Sequence, residues 1–320
     1  MFLSNLLSFV VLAFTVQIAT AVGPLPGSIK NLVTFGDSYT DVGWTGDRGI
    51  SWPTYAARIY GHYNLYPYAK AGATCSNNLT TRPFPSLFEG QLPVYFNDTK
   101  TGTIHVKPSE TIYTLWIGTN DVGVNSLLVG QGAPGVTLVD TTECAINWLK
   151  VLYKSGARNF LFQNMVPLHE VPLYSKNSYP NTYWTAQRNT TEWSVFMREM
   201  VNTGNALSKA YLQLLAPTLP GAHIGYFDSY SLFSDMIAHP KSYFNGTAPL
   251  NVTGAAHACV YKLNENTTDT GVCTVNAGKA ADSFLWYDEL HPSEQADRQV
   301  AKYVAGAINR TSQKWVTWLT

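Results

Sequence analysis

Short apolar runs alternate with longer amphipathic stretches along almost the whole chain. Asn31–Phe35 is an apolar run ending at Gly36, which predicts a buried first strand. Ser51 followed by Pro53 predicts a helix start, with Gly61 as its stop. A weak strand is expected over Leu65–Ala69 and a strong one over Thr111–Ile117. Val139, Ile146, Leu149 and Tyr153 fall on one helical face, and Gly156 ends that helix. Asn159–Met165 reads as strand, residues 191–216 as a long helix stopped by Pro217, His223–Asp228 as strand and Tyr230–Ala238 as helix. Ser293 opens a last helix in which Val300, Val304 and Ile308 lie one turn apart. Alternation of this kind implies an α/β fold whose parallel sheet is covered on both faces. Residues 240–282 break the rhythm and read as a long surface excursion stapled by a disulfide.

Processing signals change where the fold begins. Leu6–Val16 is a short apolar run, and Ala19-Thr20-Ala21 has the small-x-small form of a signal-peptidase site. Residues 1–21 are therefore expected to be a signal peptide, and residues 22–320 a single soluble domain. Seven Asn-x-Ser/Thr sequons, at Asn78, Asn97, Asn189, Asn245, Asn251, Asn266 and Asn309, imply a secreted, glycosylated surface. Charged residues make up only 13% of the chain and the formal net charge is zero, so nothing draws it to nucleic acid or to an anionic membrane. The four cysteines fit disulfides in an oxidising compartment. Cys259 and Cys273 bracket a short polar loop and are expected to pair, leaving Cys75 with Cys144; three pairings are formally open. No C-x-x-C or Cys/His metal spacing occurs, and acyl transfer through a serine, the chemistry weighed below, needs no metal or organic cofactor.

The candidate chemistry begins with Ser38, just past the carboxyl end of the first strand, where open α/β sheets place ligands. The following residues are expected to open a helix, whose first turn leaves N–H groups unpaired. An N-capping serine would look the same in isolation. A serine hydroxyl needs a base to act as a nucleophile, and of seven histidines only His291 has a carboxylate placed to orient it, Asp288 three residues earlier. The neighbouring Glu289 competes for that role but points less well at the same ring. His62, His105, His169, His223, His239 and His257 read as surface or capping residues. Ester hydrolysis also needs donors for an oxyanion, and three are available: the backbone N–H groups of Ser38 and Gly72 and the side-chain amide of Asn120.

These segments together resemble the four sequence blocks of the GDSL, or SGNH, hydrolase superfamily. Residues 31–38 match the nucleophile block, 69–74 the glycine block, Gly118-Thr119-Asn120-Asp121 the asparagine block and Asp288-Glu289-Leu290-His291 the acid–base block. Ala71 stands where relatives often have a second glycine, which leaves open which residue of the pair donates; Gly72 is the expected donor. Tyr39 replaces the leucine that names the family. The resemblance implies a flavodoxin-like three-layer α/β/α sandwich, a catalytic Ser38–His291–Asp288 triad, and Asp37, Asp41 and Asp121 ordering the active-site loops. Within the superfamily, residues 35–43, Trp52-Pro53 and the glycoprotein character resemble fungal acetylesterases of carbohydrate esterase family 16. That likeness implies removal of acetyl groups from small acylated carbohydrates derived from hemicellulose; a monomer is expected. Trp44, Trp52 and Trp286 lie near the motifs and are candidates for stacking on a sugar ring. A lipase or phospholipase on the same scaffold, and a carbohydrate-binding glycoprotein with relic motifs, are the rival readings.

Overall fold

The computed structural model describes residues 23–44, 49–268 and 271–320; the expected signal segment lies outside them. A six-stranded sheet is built from β1 (Asn31–Gly36), β2 (Asn64–Pro67), β3 (Thr111–Trp116), β4 (Asn159–Gln163), β5 (His223–Phe227) and β10 (Val316–Trp318). The order across it is β2-β1-β3-β4-β5-β10, all parallel except β10, which runs antiparallel to β5 at the edge. The chain steps to one side of β1 to form β2 and then crosses to the other side to form β3. The order therefore reverses between β1 and β3, and such a switch point opens a crevice at the carboxyl ends of the strands.

Every residue of β1, β3 and β4 is buried, as expected for strands covered on both faces. Alternate side chains divide between two cores because successive residues of a strand point to opposite faces. Leu32, Ile112, Trp116, Leu161 and Phe227 pack with α1 (Trp52–Tyr55), α6 (Ser229–Ala238) and α7 (Glu294–Ile308). Val33, Phe35, Tyr113, Leu115 and Phe160 pack with α2 (Leu92–Thr101) and α4 (Leu138–Lys154). A short α3 (Thr119–Val122) follows β3, and α5 (Thr190–Leu215) runs along the molecule, contributing Met197 and Val201 to the first core and Leu212 to the second. This is the three-layer α/β/α arrangement the sequence implies.

Local signals account for most boundaries. Ser51 adopts extended backbone before α1, Pro53 occupies its first turn, and a wider turn continues to Gly61. Thr137 and Asp140 form a capping box that starts α4. Ser293 caps α7, whose Val300, Val304 and Ile308 are buried as the pattern predicts. The face expected for α4 is only partly right. Val139 is exposed, whereas Ala145, Ile146, Trp148, Leu149 and Leu152 form the buried stripe.

Residues 240–282 hold more order than expected. β6 (Asn251–Ala255) pairs in parallel with β9 (Phe284–Trp286), and β7 (His257–Val260) forms an antiparallel ribbon with β8 (Val272–Val275). Cys259 and Cys273 face each other across that ribbon and are joined. The second disulfide, Cys75–Cys144, ties the loop after β2 to α4. Among the described residues, no helix is long and apolar enough to cross a membrane.

Candidate active site

β1 ends at Gly36, whose φ is +146° and where a Cβ would lie 2.2 Å from the Trp116 carbonyl oxygen, so only glycine fits. The chain then turns sharply, with the N–H groups of Thr40 and Asp41 donating to the Asp37 carbonyl and that of Tyr39 to Asp37 Oδ1. The helix expected after Ser38 is this single turn. It leaves the Ser38 hydroxyl at the mouth of the crevice between β1 and β3.

The acid–base loop shapes itself around one carboxylate. Asp288 Oδ1 accepts the N–H groups of Leu290 at 2.8 Å and His291 at 2.7 Å, and the Tyr287 N–H closes onto the His291 carbonyl at 2.8 Å. His291 Nδ1 lies 3.0 Å from both Asp288 oxygens, and Nε2 lies 2.8 Å from Ser38 Oγ. Asp288 thus fixes the tautomer that protonates Nδ1 and presents Nε2 as an acceptor to the serine. The two loops are also joined directly, since Tyr39 donates from its hydroxyl to the Leu290 carbonyl at 2.6 Å. A leucine there could not make that bond. Glu289 does not compete for the ring: its Oε1 accepts the Cys259 N–H at 2.7 Å and the Tyr179 hydroxyl at 2.9 Å.

The carboxylates differ in how burial is offset. Burial pushes Asp288 upward, but the His291 charge, hydrogen bonds from His291 and Tyr183 and the Leu290 N–H outweigh it, holding its pKa below the usual carboxylate range. Asp37 and Asp121 lack such compensation. Each uses one oxygen, for the N–H of Tyr39 and of Cys75 respectively, while Oδ2 finds no hydrogen-bond partner among the described residues. Burial pushes Asp37 up to about 7 and Asp121 up to about 6.

The candidate oxyanion donors come from the ends of three strands. The Ala71 N–H is already donated to Asp41 Oδ2 at 2.8 Å, whereas the Ser38 and Gly72 N–H groups have no acceptor among the described residues. Gly72 has φ +77°, and a Cβ there would strike the Phe84 ring. Asn120, on α3, donates one amide hydrogen to the Ala73 carbonyl at 2.9 Å and accepts Arg82 Nη1 on Oδ1 at 2.8 Å. Its second amide hydrogen has no acceptor among the described residues.

These groups line one cavity of about 470 Å³, together with Trp44, Arg82, Phe84 and Tyr183. Of the three tryptophans expected to meet substrate, only Trp44 is there, 41% exposed with its ring centroid 4.8 Å from that of His291. Trp52 is fully buried and donates to Thr40 Oγ1, and Trp286 is fully buried against Phe233. Both are core residues, because a neighbour in sequence alternates or turns away from the residue beside it. Sequence reading also missed Tyr183, whose hydroxyl donates to Asp288 Oδ2 at 2.6 Å from a loop 105 positions away. One His/Cys grouping among the described residues, His257, Cys259 and Cys273, could by position hold a metal, but both sulfurs are bound in the disulfide and are not thiolates.

The family model for the GDSL-like lipase/acylhydrolase matches residues 32–304. An acetylesterase of Hypocrea jecorina is 30% identical over 90% of this chain and 91% of its own length. An acetylesterase of Thermothelomyces thermophilus is 24% identical over 88% of each. A solved acetylxylan esterase from Geobacillus stearothermophilus aligns at a TM-score of 0.39 and 15% identity, over 70% of this chain and 86% of that one. With the Ser38 turn, the Asp288–His291 loop and their shared cleft inside a match that spans most of the sheet, the chain belongs to the GDSL-like lipase/acylhydrolase family and is a carboxylic ester hydrolase.

Proposed function

We propose that the chain is a secreted, monomeric acetylesterase that removes short acyl groups from small carbohydrate esters through an acyl-serine intermediate. The observation that carries this reading is the 2.8 Å contact between Ser38 Oγ and His291 Nε2, backed by Asp288 on the other ring nitrogen. His291 takes the serine proton as Ser38 attacks the ester carbonyl, and Asp288 stabilises the imidazolium that forms. The free N–H groups of Ser38 and Gly72 and the uncommitted hydrogen of Asn120 receive the oxyanion. His291 returns the proton to the departing sugar hydroxyl. Water, deprotonated by the same imidazole, then cleaves the acyl-serine and releases acetate. The chemistry of these steps calls on no metal or organic cofactor.

The acetyl preference is supported by the relatives named acetylesterase, and the sugar by the Trp44 ring beside His291. Export with removal of residues 1–21 is supported by the sequons, since none of the seven asparagines is buried. Ser38→Ala and His291→Ala are each expected to abolish turnover of acetyl nitrophenyl ester and of acetylated xylo-oligosaccharides while leaving the unfolding transition intact. A fluorophosphonate probe should label the parent and not the Ser38→Ala variant. Full activity in Ser38→Ala would refute the mechanism, and faster turnover of long-chain than of acetyl esters would assign the chain as a lipase instead.

A further inference from the structure

We propose that Tyr183 is a positioning residue that sets the basicity of His291 through Asp288; the inference rests on the triad reading above. Its hydroxyl donates to Asp288 Oδ2 at 2.6 Å and lies 3.1 Å from His291 Nδ1. Burial, reinforced by the charge of Asp288, raises the phenol's pKa well above its ordinary value. The group therefore stays protonated and acts only as a donor toward the carboxylate.

The loop that carries it is built to hold it still. Asn181 and Trp184 exchange both backbone hydrogen bonds, and the Tyr183 N–H donates to Asn181 Oδ1, with Asn181 fully buried. Arg188 clamps the same loop through the carbonyls of Tyr179 and Trp184 and the Ser178 hydroxyl. A tyrosine that merely packed over the site would need neither the hydroxyl nor this fixed approach.

Two effects of the hydroxyl oppose each other. Donation to Oδ2 spreads the carboxylate charge and lowers the affinity of the imidazole for its proton. The phenol oxygen, as a partial acceptor for Nδ1–H, raises it. The first bond is short and charge-assisted, while the second is longer and shared with both carboxylate oxygens, so the first prevails. Among the described residues, the other titratable groups near this ring and its carboxylate are Asp37 below Ser38, Tyr39 from the nucleophile turn, Glu289 beside Asp288, and Tyr179, which donates to Glu289. None of these changes when only the Tyr183 oxygen is removed.

The test is the pH profile of kcat/KM for an acetyl nitrophenyl ester with Tyr183→Phe. The acid limb, which reports the free-enzyme imidazole, is expected to move to higher pH by about half a unit to one unit. A second variant, with 3,5-difluorotyrosine at position 183, keeps the ring and strengthens the donor; its acid limb should move to lower pH, and it stands in should Tyr183→Phe fail to fold. An unmoved limb, or one displaced in the opposite sense, overturns the proposal. If the parent labels with fluorophosphonate and Ser38→Ala is inactive, that failure belongs to Tyr183 alone. An active Ser38→Ala would instead remove the triad itself.

Discussion

Asp37 lies next to Ser38, fully enclosed, with one carboxylate oxygen unpartnered among the described residues. Burial pushes its pKa from 3.8 to about 7; the Tyr39 N–H opposes that rise and the nearby Asp121 carboxylate adds to it. In the unfolded chain the group loses its proton near its ordinary value, whereas in the folded protein it keeps the proton until about pH 7. Between those values the native state binds more protons than the unfolded one, so stability falls as pH rises and levels off above the folded pKa. At about 1.4 kcal/mol per unit, a rise from 3.8 to about 7 caps the loss at about 4 kcal/mol. About 2.5 kcal/mol of that develops between about pH 5 and pH 8. Asp37→Asn keeps the oxygen that receives the Tyr39 N–H but cannot ionise, so it should remove this part of the slope. Urea unfolding of parent and variant at the two pH values gives the answer, because any pH-independent effect of the substitution cancels. The variant is expected to gain up to about 2.5 kcal/mol relative to the parent on going from the acid to the alkaline condition, or about 4 °C in Tm. Parallel pH dependences in the two proteins would refute the reasoning.

The two disulfides should differ in worth, because Cys75–Cys144 closes 69 positions and Cys259–Cys273 only 14. Loop-closure entropy places the losses on replacing each pair by alanine at about 4.4 and about 3 kcal/mol; urea denaturation showing the reverse order would contradict this. Trp52→Ala should destabilise by about 3–5 kcal/mol as a buried aromatic is lost, whereas Trp44→Ala should shift stability by less than about 0.5 kcal/mol. Trp44→Ala should instead raise KM for acetylated oligosaccharides, and an unchanged KM would remove Trp44 from the substrate site.

What could be read from the chain was local. The buried runs of β1, β3, β4 and β5 carry their own signal, and so do the caps at Thr137 and Ser293. Ser38, Asp288 and His291 stand out in the sequence because each sits in a motif whose residue types answer a chemical need, and the fold brings the three within hydrogen-bond distance. α2 was not, since only Leu92 and Tyr95 of its ten residues are buried and its amphipathic pattern is faint. β10 spans three residues and owes its place to pairing with β5, which no periodicity announces. The same limit hid Tyr183 and Arg82, whose partners Asp288 and Asn120 are 105 and 38 positions away. It also misplaced Trp52 and Trp286, where closeness along the chain was taken for closeness to the cleft.

The Ser38 hydroxyl and the His291 imidazole are separated by 253 positions. At ordinary translation rates that distance corresponds to roughly 10–50 s of synthesis. During that interval β1 through β5 all emerge, while the Ser38 hydroxyl lacks the imidazole that the proposed mechanism requires. Under that mechanism hydrolysis lags the synthesis of β1 through β5, and its onset during cell-free synthesis times the arrival of the His291 loop.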